Sequence, residues 1–276
     1  MLELPEATTV ARQLKETVAG RTVTKVIAGA SPHRFAFFSG LPEGYPALLE
    51  GLPIEDAYPL ARLVELRLSD MRLTLGDGAN LRYYPPGEPI PAKHQLMLEL
   101  DDGAHLVATV QMYGSLEAFR AGSNDNFYYL VTMEKPTPLS SEFDESYWAS
   151  LLSAASPKLT AKAFLATEQR IPGLGNGVLQ DILFHARIHH KTKLSALSDS
   201  ELETLYHCVK DTLREMTDKG GRDTERDLFG NYGGYQTILS AKTAAEPCPL
   251  CLSAIVRQPY LGGNVYFCPH CQPLKG

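Results

Sequence analysis

The chain has 276 residues, of which 44% are hydrophobic, and this is enough material for two ordinary domains. No apolar run reaches the roughly 20 residues of a membrane-spanning helix, so we expect no membrane association, and without a targeting segment we expect a cytoplasmic protein. The net charge of −6 argues against a general nucleic-acid binder, but residues 1–155 carry −8 and residues 156–276 carry +2, so a polyanion would meet the second half first.

The first half predicts one helix followed by strands. Val10, Leu14 and Val18 recur at helical spacing after Pro5 and predict a helix. The predicted helix covers residues 6–19. The segments whose apolar and polar residues alternate, and which therefore predict strands, are residues 22–27, 62–68, 95–100 and 105–110. Tight turns are predicted at residues 77–78 and 102–103, a last strand at residues 127–133, and a proline-containing linker at residues 135–141.

The second half has helical periodicity from residue 144 onward. Ser198 and Glu201 form a capping box before an apolar stripe, and Gly220-Gly221 ends this helix. Three earlier helices are predicted over residues 147–152, 159–165 and 177–186. Cys208 lies beside the apolar stripe, and we expect it to be a small buried side chain.

Four cysteines near the end of the chain have the spacing of a structural zinc site. Cys248 and Cys251 form one C-x2-C pair, and Cys268 and Cys271 form a second pair after sixteen residues. The apolar runs between the pairs predict a β-hairpin clipped by one zinc ion. Two disulfides are the alternative, and the lack of a secretory signal argues against it. Four thiolates leave no open coordination position, so the zinc would be structural.

A glycine-rich segment, residues 171–178, precedes one of the predicted helices. A dinucleotide-binding fingerprint is disfavoured there, because no strand leads into the segment. The helix start at Gly177 offers backbone N–H groups and Asn176 adds a side-chain donor, which together suit one phosphate. A tight turn between helices explains the same residues equally well.

Taken in order, these motifs resemble the formamidopyrimidine-DNA glycosylase/endonuclease VIII (Fpg/Nei) family. The resemblance is carried by Glu3-Leu4-Pro5-Glu6, by residues 172–176 and by residues 246–272. It implies an α+β fold in three parts. These are an N-terminal antiparallel β-sandwich with a leading helix (residues 1–135), a helix–two-turns–helix domain (136–240) and a four-cysteine zinc β-hairpin (241–276).

The resemblance also implies base-excision repair, in which oxidised bases are removed and the abasic strand is cut by an N-terminal amine. An α-amino group has an ordinary pKa near 8, so a useful fraction is neutral at pH 7 and can form a Schiff base. By motif, Glu3 is the proton-transferring carboxylate and Glu6 supports it, although an acid in the first turn of a helix explains Glu6 alone. The family has proline where this chain has Leu2. Because leucine blocks removal of Met1, the amine is expected one residue out of place.

This chain keeps only some of the DNA-contacting residues that the resemblance implies. Arg62 falls where the family has lysine, Asn176 is retained beside Gly177, and the arginine before the third cysteine is missing. The residues that fill the space of a flipped base are also absent; Met112 and Tyr113 are the only candidates to substitute for them, and we do not rely on either. Phe229 and Tyr232 lie in a glycine-rich segment that matches the loop over the flipped base; ordinary loop packing is the alternative.

The resemblance implies a monomer that binds damaged or abasic duplex DNA. Three interpretations of the function follow, and whether the chain is an enzyme is left open. The first is a DNA glycosylase/AP lyase with an unusual N-terminus. The second is a protein of the same fold that binds nucleic acid with catalysis weakened or lost. The third is a protein-interaction module that has lost DNA altogether, which the acidity of residues 1–155 permits.

Overall fold

The computed structural model describes all 276 residues, and the chain forms two compact units. The first unit comprises Met1–Met133 and Glu225–Gly233, and the second comprises Glu134–Thr224 and Gly234–Gly276. None of the helices has the length and apolar content that crossing a bilayer requires. The first unit is discontinuous in sequence, because a short segment from late in the chain completes it. The three-part division at residues 135 and 240 stays a prediction.

Seven α-helices and nine strands make up the fold. The helices are α1 (Leu4–Val18), α2 (Tyr45–Leu49), α3 (Phe127–Glu134), α4 (Glu145–Ala154), α5 (Ala161–Ala166), α6 (Asn176–His185) and α7 (Asp199–Asp218). The strands are β1 (Val23–Ala28), β2 (Ala36–Phe38), β3 (Asp56–Leu60), β4 (Leu63–Leu68), β5 (Met71–Tyr84), β6 (Leu96–Leu100), β7 (His105–Arg120), β8 (Val256–Tyr260) and β9 (Gly263–Phe267). The predicted helix at the start and the four predicted strands are therefore present, with ends displaced by one or two residues or, for β7, extended.

The seven strands of the first unit form one hydrogen-bonded sheet in the order β1-β6-β7-β5-β4-β3. All of these neighbours are antiparallel, and β2 adds to β7 in parallel. The long strands β5 and β7 shift register between Asp77 and Ala79, so the two halves of each strand pair with different neighbours. Side chains from both halves, such as Leu66 and Leu98, share one buried core with α1. The expected antiparallel β-sandwich with a leading helix is confirmed.

The hairpin turn predicted at Asp77-Gly78 is wrong, because both residues lie inside β5. A Cβ atom on Gly78 would lie 2.5 Å from the carbonyl oxygen of Tyr113, so glycine allows β7 to approach closely at this point. Asp77 adopts a left-handed backbone with φ of 56°. The pair that reads as a turn in the sequence marks the register shift instead. The other predicted turn is confirmed, since Asp102 and Gly103 join β6 to β7.

The strand predicted over residues 127–133 is also wrong, because the segment forms α3. Asn126 starts this helix: its side-chain oxygen accepts from the N–H of Tyr128 at 2.9 Å, and its backbone carbonyl accepts from Leu130 at 3.0 Å. The aromatic and β-branched residues that favour a strand are outweighed by this cap, since β-propensity depends strongly on context.

The second unit contains the helices α4 to α7 and the C-terminal hairpin. The predicted capping box is confirmed, with the Ser198 hydroxyl accepting from the Glu201 N–H and the Glu201 carboxylate accepting from the Ser198 N–H. Cys208 is half-buried on α7. Strands β8 and β9 pair antiparallel, and they pack with the cysteines and Phe184 into a small core of their own. This hairpin presents its turn to the start of α6, as described below.

Candidate functional site

The amino terminus of the chain is held by a carboxylate from the late segment of the first unit. The α-amino group of Met1 forms an ion pair with Glu225, and both groups are only partly exposed. The sequence separation is 224 residues, so the contact depends on the return of Glu225–Gly233 to the first unit. The amine is therefore present at a defined position, but paired with an anion.

Leu2 fixes the position of that amine. Its backbone N–H donates to the carbonyl oxygen of Asp77 at 2.8 Å, and its side chain is 9% exposed within the core of the first unit. The hydroxyl of Tyr113 lies 3.5 Å from the Met1 sulfur and anchors the side chain before it. A buried second residue with a backbone bond on one side and a sulfur contact on the other leaves little freedom to the first residue.

Glu3 and Glu6 lie at the mouth of α1 and are 5% and 4% exposed. They form a capping box, in which the Glu3 N–H donates to Glu6 Oε2 at 3.2 Å. This gives both acids a structural task at the first turn, where a negative charge also suits the helix dipole. Glu3 is nevertheless two residues from the amine, as the resemblance implies for a proton-transferring carboxylate. Both catalytic assignments stay predictions.

The cavity beside Met1 is small. It measures about 10 Å³ and is bordered by Leu2, Glu6, Arg82 and Glu225. That volume admits about one water molecule and excludes a sugar or a base. The Met1 amine therefore borders a cavity that does not itself hold a nucleotide.

Arg62, the residue matched to a phosphate-binding lysine, is already engaged. It forms an ion pair with Asp77, and the side chains of the two residues are 22% and 24% exposed. Asp77 thus binds Arg62 through its carboxylate and Leu2 through its backbone carbonyl. The charge that the resemblance assigns to DNA is partly neutralised within the protein.

Asn176 is the first residue of α6 and is held by the hairpin turn. Its Nδ2 donates to the carbonyl oxygen of Asn264 at 2.9 Å, which leaves the second N–H of the amide available. A Cβ atom on Gly263 would lie 3.2 Å from the Asn176 amide, so the turn packs closely against it. Gly177 follows in the first turn of α6. The predicted phosphate seat is therefore a helix start with an oriented amide.

Lys162 on α5 completes this arrangement. Its ammonium donates to Asn176 Oδ1 at 2.6 Å and to the carbonyl oxygen of Tyr260 at 2.7 Å. The side chain is 2% exposed, and burial lowers its pKa from the ordinary value of 10.5 to about 8. One buried cation thus connects α5, α6 and the turn of the C-terminal hairpin.

The residues considered for filling the space of a flipped base are exposed in different degrees. Met112 is 67% exposed, whereas Tyr113 is half-buried against Met1. In the late segment, Phe229 is 48% exposed with its edge towards Tyr83, and Tyr232 is 59% exposed with the Arg226 guanidinium above its ring. These aromatic faces suit base stacking, which tolerates any base.

The four cysteines come together as the spacing predicts. Their sulfur atoms lie within 4.8 Å of one another, with 3.8 Å between Cys248 and Cys271 and 3.4 Å between Cys251 and Cys268. Four sulfurs at about 2.3 Å from a central zinc ion would be separated by about 3.8 Å in a tetrahedron. All four cysteines are free thiols, so the disulfide alternative is not adopted. The donor set fits zinc.

Three residues of the site were missed from the sequence. Glu225 and Asp77 act through contacts distant along the chain, and no local pattern identifies them. The sequence could have identified Lys162, because helical spacing places it on one face with Leu159 and Leu165, where a charged residue is unexpected. Residues 222–226 form a run of mixed charge, yet Arg222 and Asp223 are buried, at 3% and 8% exposed.

Comparison with known proteins gives a consistent result. Residues 135–226 match the profile described as the formamidopyrimidine-DNA glycosylase H2TH domain. The chain is 30% identical to formamidopyrimidine-DNA glycosylase of Symbiobacterium thermophilum, over 99% of this chain and 90% of that protein. It is equally identical to the protein of that name from Chloroflexus aurantiacus, over 99% and 98%.

Solved structures agree with these relatives. The MutM (Fpg) protein from Thermus thermophilus superimposes with a TM-score of 0.80 at 26% identity, covering 99% of both chains. Fpg from Lactococcus lactis, solved in complex with DNA that contains an abasic site, superimposes with a TM-score of 0.82 at 23% identity, over 98% of this chain and 99% of that one. At that identity the second similarity shows the fold alone.

Proposed function

Since the chain belongs to the formamidopyrimidine-DNA glycosylase family, we propose that it binds duplex DNA at damaged or abasic positions and that its glycosylase/AP lyase activity is weakened. The ion pair between the Met1 amine and Glu225 carries the second part of this proposal. Solved complexes of Lactococcus lactis Fpg with DNA containing an abasic site support the first part.

The weakened step is attack by the amine. In the route implied by the family, the amine nitrogen forms a bond to C1′ of the sugar while the bond from C1′ to the base breaks. The C1′–O4′ bond of the sugar ring then opens as O4′ takes up a proton, which gives an imine at C1′, and β-elimination cuts the strand. The amine must leave its ion pair with Glu225 before its nitrogen can attack.

Position disfavours the same step. Leu2 is buried and bonded to Asp77, so the amine of Met1 lies one residue beyond the place that a terminal proline occupies in relatives starting at the second residue. A misplacement of about 1 Å costs about 100-fold in rate. Glu3 remains the group that would pass protons to the base and the sugar, from its place at the start of α1.

DNA binding depends on a reduced set of contacts. The N-terminus of α6, where Asn176 and Gly177 lie, offers the positive end of a helix dipole to one phosphate. Lys162 and the turn at Asn264 hold the Asn176 amide in place. Arg62 contributes less than an unpaired cation, because Asp77 neutralises it. We therefore expect modest affinity with a shallow dependence on salt.

Zinc is proposed as the structural metal of the C-terminal hairpin. Cys248, Cys251, Cys268 and Cys271 would each donate one thiolate. The bound ion would tie together two C-x2-C turns that the paired strands alone hold weakly. It takes no part in the reaction, because all four coordination positions are used by protein.

A second candidate is a member of the family that binds DNA without catalysis. The cavity of about 10 Å³ beside Met1 and the ion pair of Arg62 with Asp77 favour it. Loss of DNA binding in favour of protein interaction is the remaining alternative, and the acidity of residues 1–155 is compatible with it.

Borohydride trapping and equilibrium binding distinguish these candidates. Binding is measured on a duplex with a tetrahydrofuran abasic analogue and on the intact duplex, while trapping is measured on the true abasic duplex. We expect a preference for the analogue, and trapping that is slow and is lost in Glu3→Gln. Trapping as fast as in a proline-starting relative would contradict weakened catalysis. Equal affinity for both duplexes would contradict recognition of damage.

A further inference from the structure

A groove lies between helices α4 and α7 of the second unit. Its volume is about 250 Å³. Its floor consists of apolar and aromatic side chains from both helices, namely Trp148, Leu152, Leu202 and Tyr206. Its rim carries three carboxylates, those of Glu145, Asp199 and Glu203.

The floor offers an apolar surface with one unused donor. Trp148 is 4% exposed, and its indole N–H has no acceptor within the protein. Tyr206 is 6% exposed, and its hydroxyl donates to the carbonyl oxygen of Phe143 at 3.2 Å. Leu152 and Leu202 are half-buried, so part of each side chain faces outward. An apolar cavity of about 150 Å³ admits benzene, so this groove has room for one or two side chains.

The rim has no counter-ion. None of its three carboxylates forms an ion pair within the protein, and all three residues are exposed. Glu145 and Asp199 are first residues of their helices, where the helix dipole accounts for an acid. Glu203 is the fifth residue of α7 and has no such explanation. Lys210 lies 5.5 Å from the Tyr206 ring, but its ammonium donates to the Phe143 carbonyl at 2.8 Å.

We propose that this groove binds a positively charged amphipathic peptide segment of a partner protein. An arginine or lysine of the segment would pair with the rim carboxylates, and an apolar neighbour would lie on Trp148 and Leu202. Charge complementarity favours a cationic peptide over DNA as the ligand of this groove, because three unpaired carboxylates attract a cation and repel phosphates. The volume suits a short linear segment rather than a folded surface.

Trp148 makes the test direct, because it is the only tryptophan in the chain. Its fluorescence reports on the floor of the groove without a label. The probes are three capped eight-residue peptides: one alternates leucine and arginine, one alternates leucine and glutamate, and one alternates serine and arginine. We expect a saturable change of Trp148 emission with the leucine–arginine peptide alone, and the same affinity when duplex DNA is present.

The variant that tests the role of the rim carboxylates is Glu203→Gln. Its matched control is Asp211→Asn, on the exposed surface of the same helix. Glu203→Gln is expected to weaken the leucine–arginine peptide about threefold, and the triple neutral variant of Glu145, Asp199 and Glu203 by tenfold or more. Asp211→Asn is expected to leave binding unchanged. No saturable change, equal binding of the serine–arginine peptide, or equal weakening by Asp211→Asn would overturn the proposal. Displacement of the peptide by duplex DNA would also overturn it, because it would show a polyanion site.

Discussion

Asp77 forms an ion pair with Arg62 while its backbone carbonyl accepts from Leu2, so one residue at the register shift of β5 controls both a candidate DNA-binding cation and the start of the chain. The carboxylate contact is independent of the backbone contact. A substitution that changes the side chain alone therefore tests the cation without moving the amine.

Replacing Asp77 with asparagine is expected to strengthen DNA binding. Asparagine tolerates the left-handed backbone at this position and keeps the shape of the side chain, but it releases the charge of Arg62. One more cation on phosphate steepens the slope of log K against log salt by about one unit. We expect affinity for an abasic-analogue duplex to rise several-fold at low salt, measured by titration at four salt concentrations.

Asp70→Asn is the matched control for this prediction. Asp70 pairs with Arg120 in the same unit, and both side chains are well exposed. An exposed pair contributes little, so its loss is expected to leave the salt slope unchanged. An equal rise in both variants would mean that net charge alone, and not the release of Arg62, strengthens binding.

Replacing Glu225 with glutamine is expected to increase borohydride trapping on an abasic duplex near neutral pH. The carboxylate that engages the Met1 amine in an ion pair is removed, so the amine is released for attack, while the size of the side chain is kept. We expect an increase of about threefold to tenfold in the initial trapping rate, measured with the free N-terminus verified by intact mass and with Met1 retained.

Glu16→Gln, which removes an exposed carboxylate paired with Arg12 on α1, is the control and is expected to trap as the wild type does. Slower trapping in Glu225→Gln would contradict the prediction and would assign Glu225 a role as proton acceptor. The double variant with Glu3→Gln should lose the gain if Glu3 transfers the proton.

Lys162 should make stability depend on pH in an unusual direction. Its pKa of about 8 in the folded protein lies below the ordinary value of 10.5, so between these values the unfolded chain binds more protons. Stability then rises with pH over this range. Relative to Lys162→Met, the wild type is expected to gain up to about 3 kcal/mol between pH 8 and pH 10.5, in urea unfolding curves.

Lys158→Met serves as the comparison, because Lys158 is exposed in the same region. Its stability difference from the wild type is expected to stay constant with pH. At pH 7, Lys162→Met should also lower DNA affinity, because Asn176 Oδ1 and the Tyr260 carbonyl lose their donor. A flat pH profile for the Lys162 difference would show that the ammonium is solvated.

Removal of the metal should unfold the C-terminal hairpin alone. Cys251→Ser, or treatment with a strong chelator, is expected to abolish amide protection in β8 and β9 while the strands of the first unit stay protected. The hairpin depends on a core of few residues that includes Cys248 and Cys268. Hydrogen exchange and metal analysis measure the two effects. Unliganded protein with a fully protected hairpin would contradict the role of zinc.

Much of the fold follows from patterns that are local in the sequence. The apolar spacing of α1, the capping box at Ser198 and Glu201, and the cysteine pairs each specify their element within about twenty residues. The strand prediction for residues 127–133 is wrong although the deciding signal is also local. The aromatic residues of this segment favour a strand, and the decisive contact is the cap from Asn126 at its edge.

The candidate site is less accessible to sequence reasoning because its contacts are long-range. Met1 with Glu225, and Arg62 with Asp77, are pairs of charges whose meeting depends on the completed sheet and on the return of the late segment. Asn176 was identified because it stands at a helix start, but its orientation by Lys162 required the packing of three elements.

The discontinuity of the first unit has a consequence for how the protein is made. Leu228 is fully buried in the core of that unit, where its carbonyl accepts from Tyr83 and its N–H donates to Gln13. A ribosome releases the β-strands long before it has synthesised this residue. The N-terminal unit therefore cannot finish folding during synthesis in the usual order, one domain after another. A nascent chain ending at residue 133 would leave the apolar core residues that surround Leu228 exposed to water. It would tend to aggregate until the segment carrying Leu228 is synthesised.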